Sequence, residues 1–211
     1  MARSRTKIAE LARKHWCAPG EQVVWAVNRD AHLGSTVGAT VTAPHVVLGQ
    51  VPELHVADPA WPLPTRAVAS GRFHRDEWVH DPAVWGWAHA RPGHLAAHWA
   101  DLFTAARDEC WLLLTSRRSA LVVEGGRTRP AEPPASGLLG HFRTRGAPEG
   151  PPLVTLWEGP AGVPRYTAVP LGRQVRPEWF VRIAFPDGSR FEFRDAQAER
   201  SVRTAYLNLA R

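Results

Sequence analysis

The chain has 211 residues, of which 44% are hydrophobic, and this content supports a sizeable core and argues against wholesale disorder. Its net charge of +6 at pH 7 suits an anionic partner such as nucleic acid or an acidic membrane surface. No apolar run approaches the ~18 residues that a transmembrane helix needs, and the first residues lack the apolar core of a signal peptide, so we expect a cytoplasmic protein with no transmembrane segment.

The N-terminal half predicts one helix followed by short strands. Residues 1–16 are expected to form an N-terminal basic helix, because their few apolar side chains fall on one side. Residues 17–211 are expected to form a single elaborated domain that opens with a strand at 21–28 and continues with one or two strands within 36–49. Prolines interrupt every pattern in residues 51–70, which predicts an extended loop.

The middle of the chain predicts a helix, a hairpin and a loop. Residues 92–108 carry apolar side chains at helical spacing, at Leu95, Trp99, Leu102, Phe103 and Ala106. A hairpin is predicted next over residues 111–124, followed by a flexible loop rich in proline and glycine at residues 125–152. The ten tryptophans of the chain are interpreted mainly as core and sheet-packing residues.

The C-terminal part predicts a hairpin that leads into a helix. A two-residue Asp-Gly turn would place apolar side chains opposite charged ones, whereas a three-residue loop at 186–188, with Gly188 in the left-handed conformation, pairs apolar with apolar. The expected partners are Ile183 with Phe191, Val181 with Phe193, and Arg182 with Glu192, the charged pair lying on the outer face. Asp195 is expected to cap a helix that runs to Leu209.

Several segments of the chain carry a family resemblance. The run from Trp111 to Val123 resembles the LxLTxxRL hairpin of bacterial pleckstrin-homology-like domains, with Ser119 in place of the final leucine. The Asp-Gly turn and the closing helix at 195–209 resemble the later parts of that family, and Pro19-Gly20-Glu21 resembles its start. The resemblance implies an α+β fold, in which a strongly bent antiparallel sheet forms a partly open barrel capped by a C-terminal helix. The helix near 92–108 would be an addition, and the family is mostly non-enzymatic.

The histidines raise the possibility of a metal site. His94 and His98 are one helical turn apart and Asp101 is about one turn further, so the three could face one ion. The alternative is that they lie on the solvent-exposed side of an amphipathic helix. The spacing lacks the glutamate of an HExxH zinc-protease motif, and we expect no cofactor or metal.

Arginines are the other candidate binding residues. Arg117 and Arg118 fall at the tip of the predicted hairpin, and four more, Arg127, Arg129, Arg143 and Arg145, fall in the predicted loop. They could bind nucleic acid or an anionic membrane surface, or they could be solvated turn residues.

No catalytic constellation can be assigned, since the chain lacks a GxSxG elbow, a P-loop and a GxGxxG motif. The leading hypothesis is therefore a non-catalytic binding module that contacts a protein partner through a sheet edge, a groove or a Trp-bearing surface. Arginine-driven binding of nucleic acid or an anionic surface is the first alternative. A metal-dependent enzyme using His94 and His98 is the second.

Overall fold

The computed structural model describes residues 4–127, 150–172 and 177–209. The strands of this part of the chain are β1 (Val23–Asn28), β2 (His32–Val37), β3 (Thr40–Thr42), β4 (Val84–Ala90), β5 (Trp111–Thr115), β6 (Arg118–Glu124), β7 (Leu153–Pro160), β8 (Arg165–Leu171), β9 (Glu178–Ala184) and β10 (Arg190–Arg194). Its α-helices are α1 (Arg5–His15), α2 (Arg66–Ala69), α3 (Leu95–Ala106) and α4 (Ala198–Leu209).

The first sheet is a four-stranded antiparallel sheet in the order β1-β5-β6-β7. Side chains alternate between its faces, so that Trp111 and Leu113 of β5 point away from the other sheet. Helix α1 covers this outer face with Ile8 and Ala12, both fully buried. All residues of β5 are buried because both faces of the strand are covered.

The second sheet has six strands in the order β3-β2-β4-β10-β9-β8. Strands β2 and β4 run parallel, and the other neighbours are antiparallel. The stretch before β4 folds over the outer face of this sheet, where Trp78 and Val79 pack against Trp87 and Phe180. This sheet therefore mixes strands from the first half of the chain with the last three strands.

One hydrophobic core lies between the two sheets. Trp25 and Leu112 enter it from the first sheet, Trp85 and Phe191 from the second, and Trp99 from α3. Several tryptophans are less than 2% exposed, namely Trp78, Trp87, Trp99 and Trp111. This burial agrees with the interpretation of the tryptophans as mainly core residues.

The expected α+β class and the C-terminal helix are confirmed. The described strands form two sheets and no closed barrel. The predicted helix at 92–108 is α3, and the predicted hairpin at 111–124 is formed by β5 and β6. Residues 128–149, most of the predicted flexible loop, lie outside the described residues.

The predicted register of the C-terminal hairpin is also confirmed. Ile183 pairs with Phe191 and Val181 with Phe193, and Gly188 has φ 81° in the loop. Arg182 pairs with Glu192 as expected, but Glu192 is only 2% exposed rather than lying on an open face. The reason is that β4 adjoins β10 and brings His89 Nε2 to 3.4 Å from the Glu192 carboxylate.

Candidate functional site

The outer edge of β1 lines a groove of about 340 Å³, which we call the β1 groove. Strand β1 is at the end of the first sheet and pairs only with β5 among the described strands. Edge strands carry a row of backbone N–H and C=O groups that can pair with another chain. The floor of this groove is therefore built for backbone hydrogen bonding.

The two walls of the β1 groove come from helices on opposite faces of β1. Val23 and Ala26 pack towards α1 on the outer face, whereas Trp25 and Val27 enter the core between the sheets. Trp25 Nε1 donates to the Ser201 carbonyl of α4 at 3.0 Å, which holds the start of that helix beside β1. A strand added to β1 would send alternate side chains towards α1 and towards α4.

The α1 wall of the β1 groove is basic. Arg5 and Arg13 line it, and both are exposed and form no ion pair with another described residue. They are eight residues apart, which is ~12 Å along a helix axis. Asp195 lies on the other wall, but its carboxylate already accepts hydrogen bonds from Gln197 N (2.8 Å) and Ser201 Oγ (2.6 Å). The lining of the groove thus carries two cationic side chains against one carboxylate.

The two arginines predicted at the hairpin tip have different surroundings. Arg117 is exposed. Arg118 instead donates to Glu21 Oε1 (3.0 Å) and Glu158 Oε2 (2.7 Å) and lies 3.9 Å from the ring centre of Trp16. Burial opposes the charge on Arg118, yet the hydrogen bonds and charges of the two glutamates outweigh it and raise the pKa. Arg118 therefore joins the segment before β1 to the first sheet.

The other four predicted arginines belong to the segment that follows β6. Arg127 ends a short 3₁₀ turn after β6. Arg129, Arg143 and Arg145 lie outside the described residues.

The structure does not bring the three candidate metal ligands together. Within the described ranges, no group of three or more His, Cys, Asp or Glu side chains could hold a metal ion. His94 precedes α3 as its N-cap, whereas Asp101 is buried and bonded to other partners. Those partners are His45 Nε2 (2.9 Å), Leu48 N (2.8 Å) and Gly49 N (3.0 Å).

Asp101 belongs to a row of side chains that sequence reasoning missed. Ser35 Oγ lies 2.6 Å from His45 Nδ1, and His45 Nε2 lies 2.9 Å from Asp101 Oδ1. Serine, histidine and aspartate are the residue types of a hydrolase triad. Ser35, however, is 1% exposed, and its hydroxyl also forms a hydrogen bond with Thr42. A substrate cannot reach a nucleophile sealed in this way. The row fastens the segment after β3 onto β2 and α3. Asp101 is 56 residues from His45 in the chain, so no local motif could reveal the complete row.

Comparison with known proteins finds no matching family model, no matching curated protein and no matching solved structure. No helix in the described part of the chain has the length and apolar character to cross a membrane.

Proposed function

We propose that this chain is a non-catalytic, cytoplasmic module of pleckstrin-homology-like fold, which binds an extended acidic segment of a partner protein. The partner segment would add as a strand to the free edge of β1. The observation that carries the proposal is the β1 groove, in which a strand edge that pairs with no second described strand lies beside a basic helix. Both cysteines, Cys17 and Cys110, are free thiols, which suits a reducing compartment.

Strand order supports the pleckstrin-homology-like fold. If the segment between β1 and β5 is set aside, the remaining strands follow the chain in two antiparallel runs. The first run is β1-β5-β6-β7 and the second is β8-β9-β10, after which α4 closes the core. This succession agrees with the antiparallel strands and closing helix that the sequence resemblance implies. The segment from β2 to α3 is then an insertion that extends the second sheet.

The spacing of the basic side chains supports an extended ligand. Side chains on one side of a strand repeat every ~6.7 Å, so the first and fifth residues of such a segment are ~13 Å apart. This distance is close to the ~12 Å between Arg5 and Arg13 along α1. Two acidic side chains separated by three residues could thus each reach one arginine. Main-chain pairing would supply affinity, and the arginines would select the sequence.

The proposal can be tested with a degenerate pool of eight-residue peptides, in which glutamate is fixed at the second and sixth positions. We expect immobilised protein to enrich a subset of the pool, and the best peptides to bind about tenfold more weakly to each of the variants R5E and R13E. A charge-assisted hydrogen bond is worth ~1.5 kcal/mol, which is about a factor of ten in affinity. Bound peptide should also protect the amides of β1 from hydrogen exchange.

The double variant R66E/R72E is the matched control, because Arg66 and Arg72 are also exposed and the change in net charge equals that of R5E/R13E. Peptide binding that weakens equally in both double variants would show that only net charge matters. Failure to enrich any peptide, or tight binding to polyanions such as DNA in place of peptide, would overturn the proposal.

A further inference from the structure

A second cavity, of about 210 Å³, lies at the other end of β1, where the chain turns into β2. Arg29 and His32 reach it from this turn, Thr104 and Arg107 from the end of α3, and Trp61 from the segment that precedes α2. We call it the Arg29 cavity. It is separate from the β1 groove, since the two share none of these residues.

Arg29 is a buried cation with few partners. It is 5% exposed, and its only hydrogen bond to the described part of the chain runs from Nε to the Arg107 carbonyl at 2.9 Å. The guanidinium carbon lies 4.8 Å from the ring centre of Trp61. A planar guanidinium presents its terminal nitrogens as a fork that matches a carboxylate. The terminal nitrogens of Arg29 are thus available to an acceptor in the cavity.

The Asp108 carboxylate is near enough to favour the charge on Arg29, whereas the Cys110 thiol is uncharged and Arg107 carries a charge of the same sign. Burial lowers the pKa of Arg29 to about 10, so it is still cationic at neutral pH. Burial raises the pKa of the Cys110 thiol to about 12 and keeps it uncharged. His32 and His45 have lowered pKa values, mainly through burial, and are neutral. Arg107 is engaged by an ion pair with the exposed Asp58.

We propose that the Arg29 cavity binds a small monocarboxylate with an apolar or aromatic body. The carboxylate would pair with the terminal nitrogens of Arg29, and the body would lie against the Trp61 ring and the prolines of the cavity wall. A single carboxylate matches the single guanidinium fork that Arg29 presents. The volume equals that of roughly seven waters at ~30 Å³ each, which suits a small acid rather than a nucleotide.

The segment that carries Trp61 forms the outer wall of the Arg29 cavity, and Arg107 fastens it. Arg107 Nη1 donates to the Val56 carbonyl at 3.1 Å, and its Nε pairs with Asp58. These two contacts attach the segment to the end of α3.

Titration of the purified protein with benzoate and with butyrate tests the proposal, by calorimetry and by the indole N–H resonance of Trp61 in an amide NMR spectrum. The indole signal that is missing from the spectrum of W61F identifies the Trp61 resonance. We expect saturable binding that shifts the Trp61 signal, and a loss of affinity of at least about tenfold in R29M. The variant R5E, which changes the β1 groove, should bind benzoate normally, so this site and the proposed peptide site can fail separately.

Several results would overturn the proposal. These are absence of saturable binding at about 10 mM of either acid, equal binding by R29M, and tighter binding of inorganic phosphate than of the carboxylates. If R29M does not fold, the W61A variant takes its place, and unchanged benzoate affinity in W61A would count against the site.

Discussion

At the scale of single residues, two adjacent arginines differ in their contacts and therefore in their expected contribution to stability. Arg117 is exposed at the β5–β6 turn, whereas Arg118 contacts Glu21, Glu158 and Trp16. Glu21 itself is buried, with a side chain 1% exposed. Burial alone would raise the pKa of Glu21, but hydrogen bonds from Thr115, the Ala18 amide and Arg118 outweigh it, so the pKa is lowered.

The variant R118Q should therefore lose stability, and R117Q should not. Removal of the Arg118 charge leaves the buried Glu21 carboxylate with fewer donors, for a cost of roughly 1–3 kcal/mol in the free energy of unfolding. Urea denaturation at neutral pH measures both variants. Equal stability of R117Q and R118Q would contradict a structural role for Arg118.

Sequence reasoning placed both arginines at a hairpin tip but could not separate them. The turn itself is a local feature, and local alternation is visible in the sequence. Glu21, by contrast, is 97 residues from Arg118 in the chain. The Arg29 cavity and the row from Ser35 to Asp101 were missed for the same reason, because each unites distant segments.

At the scale of elements, strands β4, β9 and β10 meet around one buried carboxylate. Glu192 of β10 receives Arg182 Nε at 2.6 Å from β9, Arg190 Nε at 3.3 Å from its own strand and His89 Nε2 at 3.4 Å from β4. Burial alone would raise the pKa of Glu192, but His89 and Arg182 outweigh it and lower the pKa from its ordinary 4.5. The cluster thus joins three adjacent strands through one carboxylate.

This lowered pKa sets the direction of a pH effect. The ionised Glu192 contributes stability above pH 4.5, its ordinary pKa, and that contribution is lost as the pH falls through the lower folded-state value. We expect E192Q to be less stable than the native chain by roughly 2–4 kcal/mol at pH 7. The difference should shrink in strongly acidic solution.

Urea denaturation of both proteins between neutral and strongly acidic pH measures the effect. The variant E199Q is the control, since Glu199 is exposed on α4. A difference between E192Q and the native chain that stays constant with pH would rule out the proposed ionic role.

Prediction at the scale of elements succeeded where partners are close in the chain. Register arithmetic gave the β9–β10 pairing, because a short loop allows few registers and only one keeps the apolar side chains together. The parallel pairing of β2 with β4 was not predicted, since the long intervening segment leaves no register signal. The burial of Glu192 depends on this same unpredicted neighbour, β4.

At the scale of the whole molecule, the shared core should make unfolding a single event. Both sheets, α3 and α4 contribute to one hydrophobic cluster, and α1 covers the first sheet with a second. We expect far-UV circular dichroism and tryptophan fluorescence to report coincident urea transitions. Two separated transitions would show instead that the sheets fold as independent units.

The strand pair at the end of β1 has a consequence for how this chain can be shortened. Asn28 and Trp111 are direct partners across the first sheet, so the chain leaves that sheet and returns to it at one place. A short turn could bridge this point geometrically. Such a turn would replace residues 29–110. These residues, however, include β4, which is the neighbour of β10 in the second sheet. Its removal would uncover Phe191 and the cluster around Glu192 on β10. A segment that leaves the first sheet and returns to it at one place is therefore needed to complete the second sheet.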